Sequence, residues 1–473
     1  MGEGLLVVLD VGKTMSKLTL WTREGALVDR QTRQNSRCYD DGQAVLDVHG
    51  IEAWLIETLR HFSSLGRVDA IVPVGHGAGA AVIADGRLAS VPSDYESPVA
   101  PELRAEYDAQ RDTFEVSGSP ALPDGLNLGA QLHRMEATRS GALAGNVQIL
   151  TWAQYWAWFL SGVASTEISS LGCHTDLWNP IERKPSALAV RRGWARRFAP
   201  LRRAGEILGV IRQELVALTC LPHGVQIYCG LHDSNAALIA ARGFSKIAHR
   251  EATVLSTGTW FVAMRSPASG TVVDMSTLPV ARDVLVNVDI RGQAIPSSRF
   301  MGGREIQLLT GVDSRRIDIS LDQPALVAAA AAVVANGSMV LPTMAPGCGP
   351  FPSSRGQWRN MPDDPISQRA TVSLYAALMA EVSLDLIGAR ERVLVEGRFA
   401  EAEVFVRTLA ALRPDIQIFT SNEYNDVSYG ALRLVLPRLA PPGTLKLIEP
   451  IDLDLSRYRA AWLLEAEALE AAV

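Results

Sequence analysis

The chain has 473 residues, 48% of them apolar and 20% charged, with a formal net charge of -6. That length exceeds a single core and asks for two domains. The composition is that of a globular protein in water, and the acidic balance argues against a nucleic-acid binder, which carries a clustered basic face. The five cysteines, Cys38, Cys173, Cys220, Cys229 and Cys348, form no CxxC pair and fit a reducing cytoplasm. The N-terminal stretch lacks a basic region and a cleavage site, so no secretory signal is expected. The small apolar run Ala325–Ala335 is too short to span a bilayer, so no membrane partner is expected either.

In chain order, Leu5–Asp10 reads as a buried strand ending in Asp10-Val-Gly-Lys-Thr-Met-Ser-Lys17. Leu18–Trp21 and Ala26–Thr32 follow as strands, making a meander joined by short turns. The first turn is rich in Gly, Thr, Ser and Lys, a concavity that suits phosphate, although it is not a Walker loop and a plain hairpin turn reads equally well. Ile51–Phe62 has helical periodicity. Ala70–Val74 is a strand that runs into the turn Gly75-His-Gly-Ala-Gly79 and the small residues Ala80–Ala84. The basic run Arg191–Arg203 reads as a solvated face.

Glu102–Gly125 reads as a surface excursion, and both Leu126–Arg139 and Val147–Leu160 as helices. The aromatics of the latter, Trp152, Tyr155, Trp156, Trp158 and Phe159, are spaced for core packing rather than as a ligand platform. Glu167–Pro180, with His174 and Asp176, is a polar loop that lines a sugar pocket or is simply a turn. Val225–Tyr228 is a strand, Gly230 a turn, and Asp233 stands at the start of a small-residue helix. A carboxylate there caps the helix or, kept ionised by the helix dipole, accepts a proton from an alcohol.

In the second half, Glu251–Met264 repeats the hydroxyl-rich hairpin around Ser256-Thr-Gly-Thr259, which suggests a duplicated α/β domain. Arg299–Thr310 carries paired glycines at a helix start, Asp322–Ala335 is an Ala-rich helix, and Leu341–Trp358 is an irregular loop. Pro365–Arg390 reads as a long amphipathic helix. Arg392–Glu396 is a strand before Gly397-Arg398, Ala402–Leu412 a helix, Ile416–Thr420 a strand, and Ser428–Leu436 the last core helix.

LDVGKTMSK, YCGLHDSN, VLSTGTW, GGREIQLL and VLVEGR occur in the order and approximate spacing of the FGGY carbohydrate kinases, and PVGHGAGAAVIADGR and LTWAQYWAWFLSG also resemble segments of that family. The resemblance covers most of the chain. It implies an α/β fold of two actin-like (ribonuclease H-like) domains with a cleft between them. Residues 1–228 would form the N-terminal, sugar-binding domain and residues 229–473 the C-terminal, nucleotide-binding domain. It also implies transfer of the γ-phosphate of ATP to a sugar hydroxyl with magnesium, in the cytoplasm, with a sugar and ATP as small-molecule partners, no nucleic acid and room for a homodimer.

Carried over residue by residue, Asp233 matches the catalytic base and Asp10 the acid that helps hold magnesium. Gly12, Thr14 and Lys17 match the first phosphate loop, with Lys13 where Thr is usual. Ser256, Thr257, Gly258 and Thr259 match the second phosphate loop. Gly303 and Gln307 fall at the nucleotide site, as does Gly397, where the family's Gly-rich turn reads Glu396-Gly-Arg398. His76 falls where some members contact the sugar, and Asp94 and Tyr95 lie in the next substrate-side segment. Phosphoryl transfer needs positioning and charge neutralisation more than covalent chemistry, and magnesium prefers the oxygen ligands that Asp10 and water supply. The sugar-side segments match no single member of the family cleanly, and the expected substrate is a ketose, such as a deoxyketohexose or a ketopentose. The competing readings are an actin-like regulator and a degenerate nucleotide- or sugar-binding protein without turnover.

Overall fold

A computed structural model describes residues 4–40, 42–139, 141–312, 322–421 and 427–472. The chain gathers into two compact units. One holds Met1–Ala240, Val286–Ala294 and Asp426–Ala440, the other Ala241–Leu285, Ile295–Asn425 and Pro441–Val473. Residues 229–240 therefore sit with the first unit, and two later segments return to it.

The first unit is built on a mixed sheet. Its strands run in the order Ile207–Val210, Gln226–Tyr228, Val68–Gly75, Leu5–Val11, Met15–Trp21 and Leu27–Gln34, and Leu231–His232 also pairs with Val68–Gly75. Leu6 to Leu9 are fully buried, as expected of a central strand covered on both faces. One face packs on the helix Val48–Leu65 through Leu55, Leu59 and Phe62 and on the helix Trp152–Ser161. The other packs on Ala236, Tyr429 and Leu432. The small residues of the helix Asp233–Ala241 have a packing reason. A Cβ on Gly430 would lie 1.7 Å from the carbonyl oxygen of Ala236, so these two segments meet backbone to backbone.

The second unit repeats the plan. Ala252–Thr257 pairs antiparallel with Phe261–Ser266 and parallel with Arg392–Gly397, as Leu5–Val11 pairs with Met15–Trp21 and Val68–Gly75. The structural counterpart of the Gly75-His76 turn is thus the Gly397-Arg398 turn, not the Asp233 turn that it resembles in outline. The core of this unit surrounds Pro365–Leu386. That helix is not amphipathic: Ala370–Ala380 is buried on nearly every side, because other helices and the sheet enclose it.

Four further segments differ from the sequence reading. Val147–Thr151 is a strand paired with Ala80–Ala84, and the helix begins only at Trp152. Ala80–Ala84, read only as a small-residue segment, is accordingly a strand. Glu102–Gly125 holds two short helices, Pro101–Asp108 and Phe114–Ser117, with Tyr107, Ser119 and Leu122 buried. The helix Ser456–Ala471 was not anticipated. Its stripe Tyr458, Trp462 and Ala466 is buried, and the Trp462 indole N–H donates to the Val340 carbonyl at 2.7 Å.

Candidate active site

The sheet register of the first unit collects the candidate residues at one edge. Asp10 pairs with Lys17 across the hairpin and with Val74 in the parallel neighbour. Leu231 and His232 pair with Val74 and Gly75. The Asp10 turn, the His76 turn and Asp233 therefore all leave the carboxyl ends of adjacent parallel strands, where open α/β sheets bind ligands. Trp152 pins this edge by donating from its indole to the Val11 carbonyl at 3.1 Å, a structural use that agrees with its burial in the core.

Asp10 and Lys17 form an ion pair at 3.3 Å, each side chain about a fifth exposed. Within the turn, Gly12 N–H donates to the Met15 carbonyl at 3.0 Å. The Asn35 carboxamide donates to the carbonyls of Gly12 (2.9 Å) and Lys13 (3.2 Å) and accepts from the Ser16 hydroxyl (2.9 Å). With these carbonyls held from inside, Thr14 is left exposed at the tip. Asn35 was invisible as a site residue, because it lies just past the third strand and nothing local marks it.

Lys13 does not extend toward phosphate space here. Its ammonium pairs with Asp94 at 2.9 Å, contacts Glu96, and sits 4.6 Å from the Tyr95 ring centre. The cation expected at the phosphate loop is instead committed to the segment Asp94–Glu96. Two carboxylates and an aromatic face outbid solvent for it at a side chain only 11% exposed.

Asp233 is the first residue of its helix. Its carboxylate accepts from the Ser234 backbone N–H (2.5 Å) and hydroxyl (3.1 Å), and lies 3.2 Å from His232 Nε2. About a third of the side chain stays open, yet crowding by protein atoms strips enough water to push its carboxyl up to about 6, despite the Ser234 bonds. Burial therefore outweighs the helix dipole, which alone would have kept the acid at ordinary carboxylate values. Tyr95 feels this charge: burial first, then Glu96, Asp233 and Asp94, raise its hydroxyl to about 12.

Two neutral histidines flank the carboxylate. Burial lowers His232 to about 4; burial, then the charges of His232, His174 and Lys13, lower His76 to about 3. The Ala78 N–H donates to His76 Nδ1 at 3.3 Å, so Nε2 carries the proton, and that buried nitrogen has no hydrogen-bond partner. The His76 ring lies edge-on to Tyr95 at 5.3 Å. His232 points Nε2 at Asp233 and leaves Nδ1 unpartnered. In the sequence His232 reads as a packing residue or a sugar contact, and its neighbour Asp233 is the only signal. The loop residue Asp176, by contrast, is structural: it is buried, with the Tyr107 hydroxyl donating to it at 2.5 Å and Arg111 gripping both its oxygens. His174 bonds the Leu126 carbonyl at 3.0 Å.

In the second unit, Ser256 and Thr259 are exposed, whereas the Thr257 hydroxyl is used inside the fold. It donates to the Glu396 carbonyl (2.5 Å) and accepts from Phe399 N–H (3.1 Å). Of the expected hydroxyl trio, Thr257 thus ties the hairpin turn to the Gly397 turn, and its neighbours remain for a ligand. Gly258 N–H donates to the Trp260 carbonyl at 3.0 Å. A Cβ on Gly303 would stand 2.0 Å from the Gly258 carbonyl oxygen, so this glycine lets the helix Gly302–Thr310 start against the turn. A cavity beside these turns is lined by Ile306 and Thr310 of that helix, Phe399, Ala402 and Phe405, and by Gln323. Its walls are mostly apolar with a few polar groups, and at about 50 Å³ it is well below the size of a small-molecule site. Gln307 does not line it; its side chain accepts from Arg304 at 3.3 Å.

Among the described residues no cluster of three or more His, Cys, Asp or Glu could hold a metal, and no helix is long and apolar enough to cross a membrane. Asp10, a partly open carboxylate beside the first turn, is the donor that fits a hard, largely hydrated cation.

A profile of the carbohydrate kinase FGGY C-terminal domain matches residues 249–442. A search of curated proteins finds no significant match. Among solved structures, the chain is similar over 100% of both chains to a carbohydrate kinase from Novosphingobium aromaticivorans, with 52% identity and a TM-score of 0.95. It also shares the fold of a ligand-bound xylulose kinase from Lactobacillus acidophilus (13% identity, TM-score 0.77, covering 99% of this chain and 98% of that one). The same holds for the glycerol kinase of Plasmodium falciparum with ADP (12% identity, TM-score 0.77, covering 100% and 99%).

Proposed function

The chain belongs to the FGGY carbohydrate kinases, ATP-dependent sugar phosphotransferases with two actin-like domains, and from that premise we propose that it phosphorylates a ketose, a deoxyketohexose or a ketopentose, with Asp233 as general base. The observation that carries this reading is Asp233 itself. It is a carboxyl raised to about 6 by burial, at a helix start beside two neutral imidazoles. A base with that pKa is ionised at neutral pH and still basic enough to take a hydroxyl proton as the oxygen attacks phosphorus.

In this reading the first unit binds the sugar and the second the nucleotide. His76 Nε2–H donates to a sugar oxygen, which satisfies a donor otherwise buried without a partner. His232 donates to Asp233 and holds the carboxylate in one orientation. Asp94 and Tyr95 shape the sugar side. Gly12, Thr14 and Lys17, and likewise Ser256, Gly258 and Thr259, are the groups assigned to phosphate. Gly303 and Gly397 bring backbone close to the nucleotide. Asp10 would hold magnesium through water, and a bound magnesium would neutralise phosphate charge. Phosphoryl transfer then asks the chain mainly to position two substrates.

An ADP-release screen of ketoses, aldoses and polyols with ATP and magnesium tests the reading. Turnover fastest with a ketose is expected. Preference for a polyol or aldose would overturn the substrate class, and no turnover with any sugar would favour a binding protein. Lys13 offers a second test. Lys13→Met leaves Asp94 and Glu96 unpaired on the sugar side. Stranding partly buried charge is costly, so the sugar KM should rise on the order of tenfold, about 1.4 kcal/mol, with the ATP KM little changed. The opposite split in steady-state kinetics would return Lys13 to the phosphates.

A further inference from the structure

A cavity of about 400 Å³ lies within the first unit against the segment that carries Asp94 and Glu96. Its remaining walls come from Arg37, Tyr39 and Gly42–Ala44, from Ala100 and Leu103, and from Arg134 and Thr138 of the helix Leu128–Thr138. Apart from Asp94, placed above on the sugar side, these residues have no role in that reading. Its volume is within the range of small-molecule sites, roughly 300–1,000 Å³.

Arg134 is its unusual member. The residue is only 4% exposed. Its Nη1 makes two long hydrogen bonds, to the carbonyls of Ser97 (3.5 Å) and Pro98 (3.4 Å), while Nη2 is buried with no partner. Among the described residues no carboxylate pairs with it. Of the acids nearby, Asp40 pairs with Arg139 at 2.6 Å, while Asp94 and Glu96 share the single charge of Lys13. Burial first, then the neighbouring Arg139, work against the charge on Arg134, and Asp124 and Asp94 support it without touching it. Arg37, exposed at the rim, makes no ion pair among the described residues either. A buried cation that no carboxylate contacts is expensive unless something completes it. A guanidinium fork is completed best by the paired oxygens of a carboxylate or phosphate.

We propose that this cavity is a second small-molecule site, which takes a metabolite bearing an oxyanion, a phosphate monoester or a carboxylate, on Arg134 and Arg37. Asp94 and Glu96 line it and also hold Lys13, so an anion bound there repels the carboxylates on which Lys13 rests. The site is placed to loosen that clamp.

Isothermal titration calorimetry on the full chain tests this, with the nucleotide site saturated by a non-hydrolysable ATP analogue. The titrants are inorganic phosphate, a hexose phosphate, citrate and neutral sorbitol. One saturable site is expected for an oxyanion and none for sorbitol. A preference for the hexose phosphate assigns the ester, and a preference for citrate assigns the carboxylate. Arg134→Gln should abolish the heat and Arg37→Gln weaken binding about tenfold, whereas Lys17→Met, in the first phosphate turn, should leave it unchanged. Arg37 is exposed, so its variant reports even where Arg134→Gln fails to fold. Binding by no oxyanion, binding that survives Arg37→Gln undiminished, loss with Lys17→Met, or an equal response to sorbitol each overturns the site.

Discussion

Asp233→Asn is expected to reduce sugar-dependent ADP release by two to four orders of magnitude, the usual contribution of a positioned general base, while ATP binding by calorimetry is retained. The pH profile should separate this from a folding defect. The base works only when ionised, so kcat/KM of the parent should fall about tenfold per unit below an apparent pKa near 6 and level off above it. The variant should lack that limb. Stability should move the other way. A carboxyl raised above its unfolded value favours the protonated folded state, so its stabilising contribution is present at low pH and is lost as pH rises through about 6. Asparagine mimics the protonated form, and the variant should melt no lower than the parent at pH 7–8. A variant that keeps parental turnover would remove Asp233 from the chemistry. One that loses turnover but melts far below the parent would make the loss structural.

The carboxylate was legible because its signal is local: a strand end, a glycine and an acid opening a helix. Gly230 shows why that pattern is so readable. It has φ of +78°, and a Cβ there would lie 2.1 Å from the Pro73 carbonyl oxygen, so geometry writes the glycine into the sequence. The two hairpins were legible for the same reason. What the sequence could not carry were properties set by distant partners. The direction of Lys13 depends on Asp94 and Glu96, the tautomer of His76 on the Ala78 N–H, and the use of the Thr257 hydroxyl on Glu396 and Phe399. The raised carboxyl of Asp233 depends on crowding that no local pattern encodes.

The misread elements have a common cause in short apolar runs. Val147–Thr151 and Trp152–Ser161 are both mostly apolar and follow one another with no Gly or Pro between, so periodicity could not mark where strand gives way to helix. Pro365–Leu386 is apolar on nearly all sides because it is enclosed, and a partial polar face suggested a surface helix that the fold does not have. The helix Ser456–Ala471 was overlooked because exposed Ala460, Leu464 and Ala468 blur the apolar period of its buried stripe Tyr458, Trp462 and Ala466.

Gly397→Ala is expected to cost about 3–5 kcal/mol of stability and to destroy nucleotide binding before it unfolds the chain. Gly397 has φ of 86° and ψ of -168°, a region open essentially only to glycine, where another residue pays about 1–3 kcal/mol. A Cβ there would also stand 2.1 Å from the Thr257 carbonyl oxygen, and forcing extra carbon into packed backbone costs a further 1–3 kcal/mol or so. The atoms that must yield belong to the turn that carries Ser256 and Thr259. The strand register sets Thr257 opposite Gly397, and the Thr257 hydroxyl bridges Glu396 and Phe399. Relief of the clash therefore pulls the two turns apart, and Phe399 with them. Denaturant titration should show the stability loss, and equilibrium binding of ATP should weaken at least a hundredfold in the fraction that stays folded. Thr257→Val is the companion measurement. It keeps the shape and removes only the hydroxyl bridge, so it should weaken ATP binding more mildly than Gly397→Ala. Normal ATP affinity in a folded Gly397→Ala protein would mean that the two turns do not act as one nucleotide-binding element.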